Sequence, residues 1–351
     1  MSSSAQHGKG RLHAGRRHAI CCDVLDAWFD PSPRAVEAFA SLGLEMRTSP
    51  ETDGRGLIEA IAEAREIDPN FISLGAGSSE IMYRVLPSLY GEGQAVILDP
   101  SYSEYPHLLQ RDGREIRRVG LCKSNGFRVA LDELIAACAG ASLVILVNPN
   151  NPTGQALNRL ELLELKASLA SHAVLWVDEA YVDYCPAGTS VETDACKIEG
   201  LYVLKSLSKA YALSGVRAAY LVCAESEALE FVCKTPPWII GTSAQAAAAA
   251  AVSDIEYYKS RWAENAVLLA EFCSDLQSIG LSVYPGWINA VLVAVPPDRT
   301  ASEWAHCLAR NGLIVRTPEG MGEVLFDRFI RIGQTEKSIH KTILKILSMS
   351  L

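Results

Sequence analysis

The sequence has no apolar run that could cross a membrane as a helix, which needs about 20 consecutive apolar residues. The best candidate, "AQAAAAAAV" at residues 244–252, is short and mostly alanine, and it predicts a buried helix instead. Basic residues are also scarce, since 32 Lys and Arg stand against 41 Asp and Glu, for a net charge of −9. Nucleic-acid binding needs clustered Lys and Arg, so neither a membrane nor a nucleic acid is an expected partner.

The ten cysteines lack the spacing of a metal site or a disulfide framework. No Cys-x-x-Cys pair occurs, and a chain of 351 residues is far larger than disulfide-stapled scaffolds. We interpret the cysteines as mostly buried thiols in a reducing cytoplasm and predict no metal site. Residues 1–18 lack the apolar segment of a secretory signal and predict a disordered tail. A transit peptide would share their Arg-rich, Ser-rich and acid-free composition.

Helical patterns alternate with short apolar runs beyond residue 57, which is the rhythm of an α/β fold with a mostly parallel sheet. The runs that predict buried strands are residues 95–99, 143–147, 173–177, 201–205 and 218–222. After about residue 255 the pattern is shorter and of the α+β kind. We therefore expect a tail (1–18), an arm that contributes to the small domain (19–50), a large domain (51–254) and a small C-terminal domain (255–351).

Polar side chains follow three of these predicted strands, at the strand ends where such sheets place their functional groups. These segments begin at Asn148, Asp178 and Ser206. The one that begins at Ser206 reads "SLSKAYALSGVR" and contains Lys209 between Ser206 and Arg217. A lysine amine forms a Schiff base with an aldehyde, and a hydroxyl and a guanidinium together hold a phosphate. The molecule that joins an aldehyde to a phosphate and binds lysine is pyridoxal phosphate, which is therefore the predicted cofactor.

This cofactor needs a well-packed carboxylate that keeps its pyridine nitrogen protonated. Asp178 is the first polar residue after the strand at 173–177 and fits by position, although Glu179 is an equally good carboxylate by composition. Tyr181, and Asn151 in the rigid "NPNNPTG" loop, can donate hydrogen bonds to the ring oxygen. An Asn, Pro and Gly loop is also typical of a plain turn.

Two weaker patterns could complete the site. Ser78 and Ser79 in "LGAGSSE" precede a helical pattern, where backbone amides bind anions, although a serine there is also typical of a helix N-cap. Tyr102 in "DPSYSEY" can stack on the cofactor ring or act as a packing tyrosine.

With these motifs the chain resembles the fold type I pyridoxal-phosphate enzymes and, within them, the class I/II aminotransferases, most of all the histidinol-phosphate aminotransferase group. The resemblance covers about residues 20–345 and is carried by "SLSKAYALSGVR", "NPNNPTG", "VDEAY", "GAGSSE", "DPSYSEY" and "FIRIG". It implies a homodimer that acts on a small-molecule amino acid substrate. The implied fold is a large domain around a mostly parallel sheet with a smaller α+β domain.

The resemblance also implies roles for individual residues. The catalytic residues would be Lys209 as Schiff-base lysine and proton shuttle, Asp178 on the pyridine nitrogen, and Tyr181 on the ring oxygen. The remaining cofactor-binding residues would be Ser78, Ser79, Tyr102, Asn151, Ser206 and Arg217. Arg331 in "FIRIG" would bind the substrate's carboxylate or another anionic group.

Two segments depart from the family pattern. Members usually open with an Asn-Glu-Asn-Pro type segment, whereas this chain reads "DVLDAWFDPSP". Its Trp28 and Phe29 could form an aromatic wall against a larger or flatter substrate, or could anchor the arm. Members also carry an Arg-Tyr-Pro segment whose tyrosine reaches the partner subunit's cofactor phosphate. Here the text is "MRTSPETDG", so either a hydroxyl of Thr48 or Ser49 replaces that tyrosine or the contact is missing.

The sequence thus predicts a pyridoxal-phosphate-dependent aminotransferase that acts on an amino acid or related amine. Because cofactor motifs do not choose the reaction, an alternative stays open. It is a lyase or carbon–carbon bond-forming enzyme of specialised metabolism, using γ-elimination, replacement or annulation on an S-adenosylmethionine-like substrate, or decarboxylation. A transcription regulator would need a DNA-binding domain, and the stretch before the fold is short and has no helix-turn-helix pattern.

Overall fold

The structure is a computed structural model, and it describes residues 19–351 apart from the side chains of Leu44 and Glu45. The segment predicted to be a disordered tail, residues 1–18, lies outside the described residues. Among the helices of the described part of the chain, none is long and apolar enough to cross a membrane.

Helices and strands alternate along the chain. The α-helices are α1 (Pro33–Ala40), α2 (Arg55–Arg65), α3 (Ser78–Val85), α4 (Glu104–Arg111), α5 (Leu131–Ala137), α6 (Arg159–Ser168), α7 (Glu192–Ala195), α8 (Glu225–Lys234), α9 (Thr242–Ser253), α10 (Ile255–Ser278), α11 (Ala301–Arg310) and α12 (Lys337–Ser348). The strands are β1 (Ile20–Cys22), β2 (Ile72–Gly75), β3 (Gln94–Asp99), β4 (Ile116–Gly120), β5 (Ala141–Val147), β6 (Val174–Asp178), β7 (Leu201–Ser206), β8 (Ala219–Val222), β9 (Val283–Tyr284), β10 (Ala290–Ala294), β11 (Leu313–Val315) and β12 (Phe329–Gly333).

The largest sheet has seven strands in the order β2-β8-β7-β6-β5-β3-β4. Strand β8 runs antiparallel to both of its neighbours, and the remaining adjacent pairs are parallel. Alternate residues of β5 enter different cores, since Val144 and Leu146 pack in one hydrophobic cluster and Ile145 in another. The sheet is therefore covered on both faces, which confirms the predicted α/β class with a mostly parallel sheet.

A second group of strands contains residues from both ends of the chain. Strand β10 pairs antiparallel with β9 and β12, while β1 pairs parallel with β11. Trp304 and Phe272 are buried in the core beside these strands. The first strand of the arm thus lies next to a strand almost 300 residues later in the chain. The domain boundaries given above stay a prediction.

The carboxyl ends of three parallel strands meet at one edge of the large sheet. Val147 of β5 lies beside Asp178 of β6, and Asp178 lies beside Leu204 of β7. The polar segments that follow these strands are therefore neighbours in space although about 30 residues separate them in sequence.

Candidate active site

A cavity of about 270 Å³ lies at this edge of the sheet. It brings together the residues predicted to bind the cofactor, which are Ser78, Ser79, Tyr102, Asn151, Asp178, Tyr181, Ser206, Lys209 and Arg217. Three further polar residues that the sequence analysis missed also line it, namely Asp26, Ser208 and Ser214.

Asp178 ends strand β6 and is held on both of its carboxylate oxygens. The Tyr105 hydroxyl donates to Oδ2 over 2.7 Å, and the Ala180 backbone N–H donates to Oδ1 over 3.0 Å. Trp176 Nε1 donates to the Tyr105 oxygen over 3.0 Å, which fixes that hydroxyl in turn. Burial raises the pKa of Asp178 to about 6, because it disfavours the charged carboxylate. A positively charged group placed beside this carboxylate would stabilise its ionised form.

Glu179 points away from this cavity. Its carboxylate accepts hydrogen bonds from the Ser190 hydroxyl, the Val191 N–H and the Lys205 ammonium. Because side chains alternate along a strand, Asp178 faces the cavity while Glu179 faces the opposite side. The structure therefore places the first of the two candidate carboxylates in the site.

Lys209 follows strand β7 and reaches into the cavity. Its Nζ lies 3.2 Å from Oδ1 of Asp26, which comes from the N-terminal arm. Burial lowers the pKa of the Lys209 amine, and the positive charges of Arg331 and Arg217 act in the same direction. Asp26 opposes both effects. The amine is thus nearer to losing its proton than an exposed lysine would be.

Arg217 lies at the end of the cavity beside helix α3. Its guanidinium donates to the Ser208 hydroxyl over 3.2 Å and to the Ser214 carbonyl over 3.1 Å. A side chain at Gly77 would collide with this guanidinium, and Gly77 has φ +90°. Glycine at residue 77 therefore lets the arginine lie against the turn that starts the helix.

The start of α3 supplies further hydrogen-bond donors at this end of the cavity. Ser78 and Ser79 are its first two residues, and both line the cavity. Ser206, the last residue of β7, accepts a hydrogen bond from the backbone N–H of Ser208 over 3.3 Å. Hydroxyls, helix amides and a guanidinium at one end make an anion-binding site.

Arg331 of β12 lies behind the cavity wall and does not line the cavity. Its Nη1 donates to Oδ1 of Asn151 and its Nη2 to the carbonyl of Asp23, both over 2.6 Å. Burial lowers the pKa of Arg331 to about 10. The guanidinium is thus one side chain away from the cavity, and it is held between Asn151 and the arm.

Trp28 and Phe29 do not line the cavity either. Trp28 Nε1 donates to Oδ1 of Asn265 in α10 over 3.0 Å. Phe29 is buried and packs edge-on against Tyr258, with ring centroids 6.5 Å apart. Both rings contact α10, as expected if they anchor the arm, and a role of Trp28 and Phe29 in substrate binding stays a prediction.

Thr48 and Ser49 are exposed and lie outside the cavity. Whether either reaches a partner subunit's cofactor stays a prediction.

A family model described as aminotransferase class I and II matches residues 24–343. The chain belongs to this family. This aminotransferase is 31% identical over 293 residues to histidinol-phosphate aminotransferase of Rhodospirillum centenum, covering 82% of this chain and 80% of that protein. It is 32% identical over 291 residues to the protein of the same name from Citrifermentans bemidjiense, with 82% and 80% covered.

A solved structure has the same fold as this aminotransferase. The histidinol-phosphate aminotransferase of Sinorhizobium meliloti, in complex with pyridoxal-5'-phosphate, matches with a TM-score of 0.86. The match has 22% identity and covers 96% of this chain and 91% of that one. Together these findings confirm a fold type I aminotransferase near the histidinol-phosphate aminotransferase group. The enzyme is a pyridoxal-phosphate-dependent transferase, and the lyase or bond-forming alternative is not favoured.

The residues of the cavity fit pyridoxal phosphate. Asp178 offers a buried carboxylate to a ring nitrogen, and the anion-binding end offers Arg217 with three serine hydroxyls to a phosphate. The close approach of Gly77 to Arg217 keeps this end free of side chains that would fill it. Lys209 lines the same cavity, so an amine, a carboxylate and an anion site are all present.

Proposed function

We propose that this aminotransferase takes the amino group of an α-amino acid, with Lys209 as the residue that bonds the cofactor and moves the proton. The observation that carries the proposal is the presence of the Lys209 amine and the Asp178 carboxylate in the walls of one cavity. When bound, pyridoxal phosphate supplies an aldehyde that bonds amines and a ring that delocalises the electron pair released at the substrate's α carbon.

Each wall of the cavity has a function in this proposal. Asp178 keeps the pyridine nitrogen protonated, while Tyr181 and Asn151 donate to the ring oxygen and Tyr102 packs on the ring. The residues that hold the phosphate are Ser78, Ser79, Ser206 and Arg217.

Lys209 moves the proton. Since burial and two nearby guanidiniums lower the pKa of its amine, a larger fraction is neutral at a given pH than for an exposed lysine. With the cofactor bound, the neutral Lys209 amine would serve as the base for the proton of the substrate's α carbon and, once protonated, as the acid that gives this proton back.

Arg331 supports a donor that carries a carboxylate or another anionic group. Its Nε is buried and has no hydrogen-bond partner among the described residues, and its Nη2 is bound only to the neutral carbonyl of Asp23. A carboxylate that replaces this carbonyl can accept two parallel hydrogen bonds from the guanidinium, which is a stronger interaction than the one it displaces. The related proteins named above act on histidinol phosphate, which is therefore the competing donor.

Two further features belong to this proposal. By analogy with the fold, the enzyme works as a homodimer with its active sites at the interface. A cytoplasmic location also belongs to this proposal, and the ten cysteines, all free thiols, support a reducing compartment.

The test is a donor panel with the cofactor-loaded enzyme. L-amino acids of different side chains and L-histidinol phosphate are each offered with and without 2-oxoglutarate as acceptor. We expect turnover of an α-amino acid that requires the acceptor. Arg331→Gln should raise the KM for that donor at least tenfold. The control is Arg328→Gln, which removes a guanidinium that binds only backbone carbonyls outside the cavity. Turnover without an acceptor, or of the phosphate ester alone, contradicts the proposal.

A further inference from the structure

Asp26 lies in the arm between β1 and α1, and its side chain is part of the cavity wall. Oδ1 accepts a hydrogen bond from Lys209 Nζ over 3.2 Å and another from the Ser214 hydroxyl over 2.6 Å. An acidic side chain from the N-terminal arm is therefore in direct contact with the amine that would bond the cofactor.

The arm is fixed on both sides of this contact. Asn289 Nδ2 donates to the backbone carbonyl of Asp26 over 3.0 Å and to that of Leu25 over 3.5 Å. Two residues beyond Asp26, Trp28 is tied to Asn265. The position of the carboxylate thus follows from several hydrogen bonds to the rest of the protein and does not depend on its contact with Lys209 alone.

Charged groups face Lys209 from several elements. Arg331 of β12 and Arg217 beyond the lysine loop disfavour its ammonium form, and Asp26 of the arm favours it. Across the cavity lie Asp178, with Tyr105 and Ala180 on its oxygens, and the phenol of Tyr181. Of the described acids that line the cavity, Asp26 is the one in hydrogen-bond contact with the amine.

Asp26 is itself held in its ionised form. Burial acts to raise the pKa of its carboxyl, but the hydrogen bond from Ser214 and the charges of Lys209 and Arg217 outweigh burial and lower it. An ionised carboxylate in hydrogen-bond contact with the amine stabilises the protonated state of the lysine.

We propose that Asp26 is the counter-ion of Lys209 and sets the pH at which the lysine nitrogen loses its proton. This inference rests on the proposed function of Lys209. Asp26 keeps its negative charge throughout, and the proton leaves Lys209 for water or for the substrate. When the substrate displaces the lysine from the cofactor, the same carboxylate holds the released amine beside the reacting carbon. Asp26 is in this sense a further catalytic residue of the enzyme.

The experiment compares Asp26→Asn with the wild type and with Asp30→Asn. Asparagine has the shape of aspartate without its charge, so the cavity keeps its size. Asp30 is a matched control because it lies on the same arm and is exposed, and Tyr257 binds its backbone carbonyl and not its carboxylate. Asp26→Glu restores the charge on a longer side chain.

Two measurements report on the lysine nitrogen without relying on turnover. The first is the rate at which cofactor-free protein incorporates pyridoxal phosphate as a function of pH. The second is the pH titration of the visible absorption of the cofactor-loaded protein. In Asp26→Asn we expect both midpoints to fall by about one pH unit, because an adjacent opposite charge shifts a pKa by about one to three units and exposure to solvent weakens the effect. Near neutral pH, incorporation should then be about tenfold faster.

Asp30→Asn should titrate like the wild type, and Asp26→Glu should recover at least part of the shift. If Asp26→Asn has the same midpoints as the wild type, Asp26 is not the counter-ion. Borohydride reduction followed by peptide mass spectrometry separates this outcome from failure of the proposed function. If the cofactor is fixed on Lys209 but Asp26→Asn has the pH midpoints of the wild type, only the role of Asp26 is rejected. If the cofactor is never fixed on Lys209, the proposed function is rejected as well.

Discussion

The hydroxyl of Tyr105 donates a hydrogen bond to Oδ2 of Asp178 over 2.7 Å, and both side chains are buried. Tyr105→Phe removes this donor and leaves Oδ2 of Asp178 and Nε1 of Trp176 without their hydrogen-bond partner, while the Ala180 N–H still donates to Oδ1. We expect the variant to lose about 1.5–3 kcal/mol of unfolding free energy, the usual cost of an unsatisfied buried group near a charge. Urea denaturation of the cofactor-free protein measures it.

The control for this variant is Tyr83→Phe. Tyr83 is half-buried, and its hydroxyl donates to Glu104 over 3.3 Å. Its loss should cost less than about 1 kcal/mol, since water can replace the bond. Equal losses in the two variants would show that Tyr105 has no special contact with Asp178.

The ionisation of Asp178 makes stability depend on pH. Burial raises its pKa from 3.8 to about 6 in the folded protein, so the folded state holds this proton more tightly than the unfolded state does. The stabilisation from this group is complete below about pH 4 and is lost as pH rises through 6. Relative to Asp178→Asn, the cofactor-free wild type should therefore lose about 2.5 kcal/mol between pH 4 and pH 7. A difference between the two proteins that stays constant across this range would contradict the raised pKa.

Gly77 is predicted to be essential for cofactor binding. In Gly77→Ala the new methyl group must displace the guanidinium of Arg217, which lies at the anion-binding end. We expect the affinity for pyridoxal phosphate to fall at least tenfold, as measured by equilibrium titration of the cofactor absorption. Gly113→Ala is a matched control, because Gly113 also has positive φ but has open space around its Cβ position. If both variants bind the cofactor equally well, the close approach has no part in binding.

Lys205 is buried between two carboxylates on the face of the sheet opposite the cavity. Its Nζ lies 3.2 Å from Glu179 and 3.5 Å from Glu192. Lys205→Met leaves Glu179 buried without a cation, while Glu192 keeps Arg65 at 3.9 Å, and we expect a loss of about 3–5 kcal/mol in unfolding free energy. Lys259→Met removes an exposed ion pair with Glu256 and should cost less than about 1 kcal/mol. Similar stability of Lys205→Met and the wild type would contradict the network.

Buried strands with polar residues at their ends could be predicted from the sequence. Strands β3, β5, β6 and β7 are continuous apolar runs, and the residues after them meet because parallel strands end at one edge. Strand β4 was not predicted, because it is an edge strand whose Arg117 and Arg118 break the apolar pattern. Strand β2 was not predicted, because it has only four residues and its last two, Leu74 and Gly75, open the glycine-containing segment "LGAGSSE".

Contacts between distant segments could not be predicted. Asp26 and Lys209 are 183 positions apart, and nothing local to either residue indicates that they meet. The same holds for Trp28, whose partner Asn265 is 237 positions away, so the sequence left its two interpretations open. Tyr105 had a local signal, since it stands three residues after Tyr102, just inside the start of α4, and the two ring centroids lie 6.2 Å apart.

The proposed chemistry requires a covalent bond between the cofactor and Lys209, and one measurement tests for this bond most directly. Cofactor-loaded protein is reduced with borohydride, digested, and searched by mass spectrometry for lysines that carry the reduced cofactor. We predict modification of Lys209 in the wild type and none in Lys209→Ala, with Lys205 unmodified in both because its amine is buried between Glu179 and Glu192. Modification of another lysine in the wild type, or unchanged labelling of Lys209→Ala, would contradict the account.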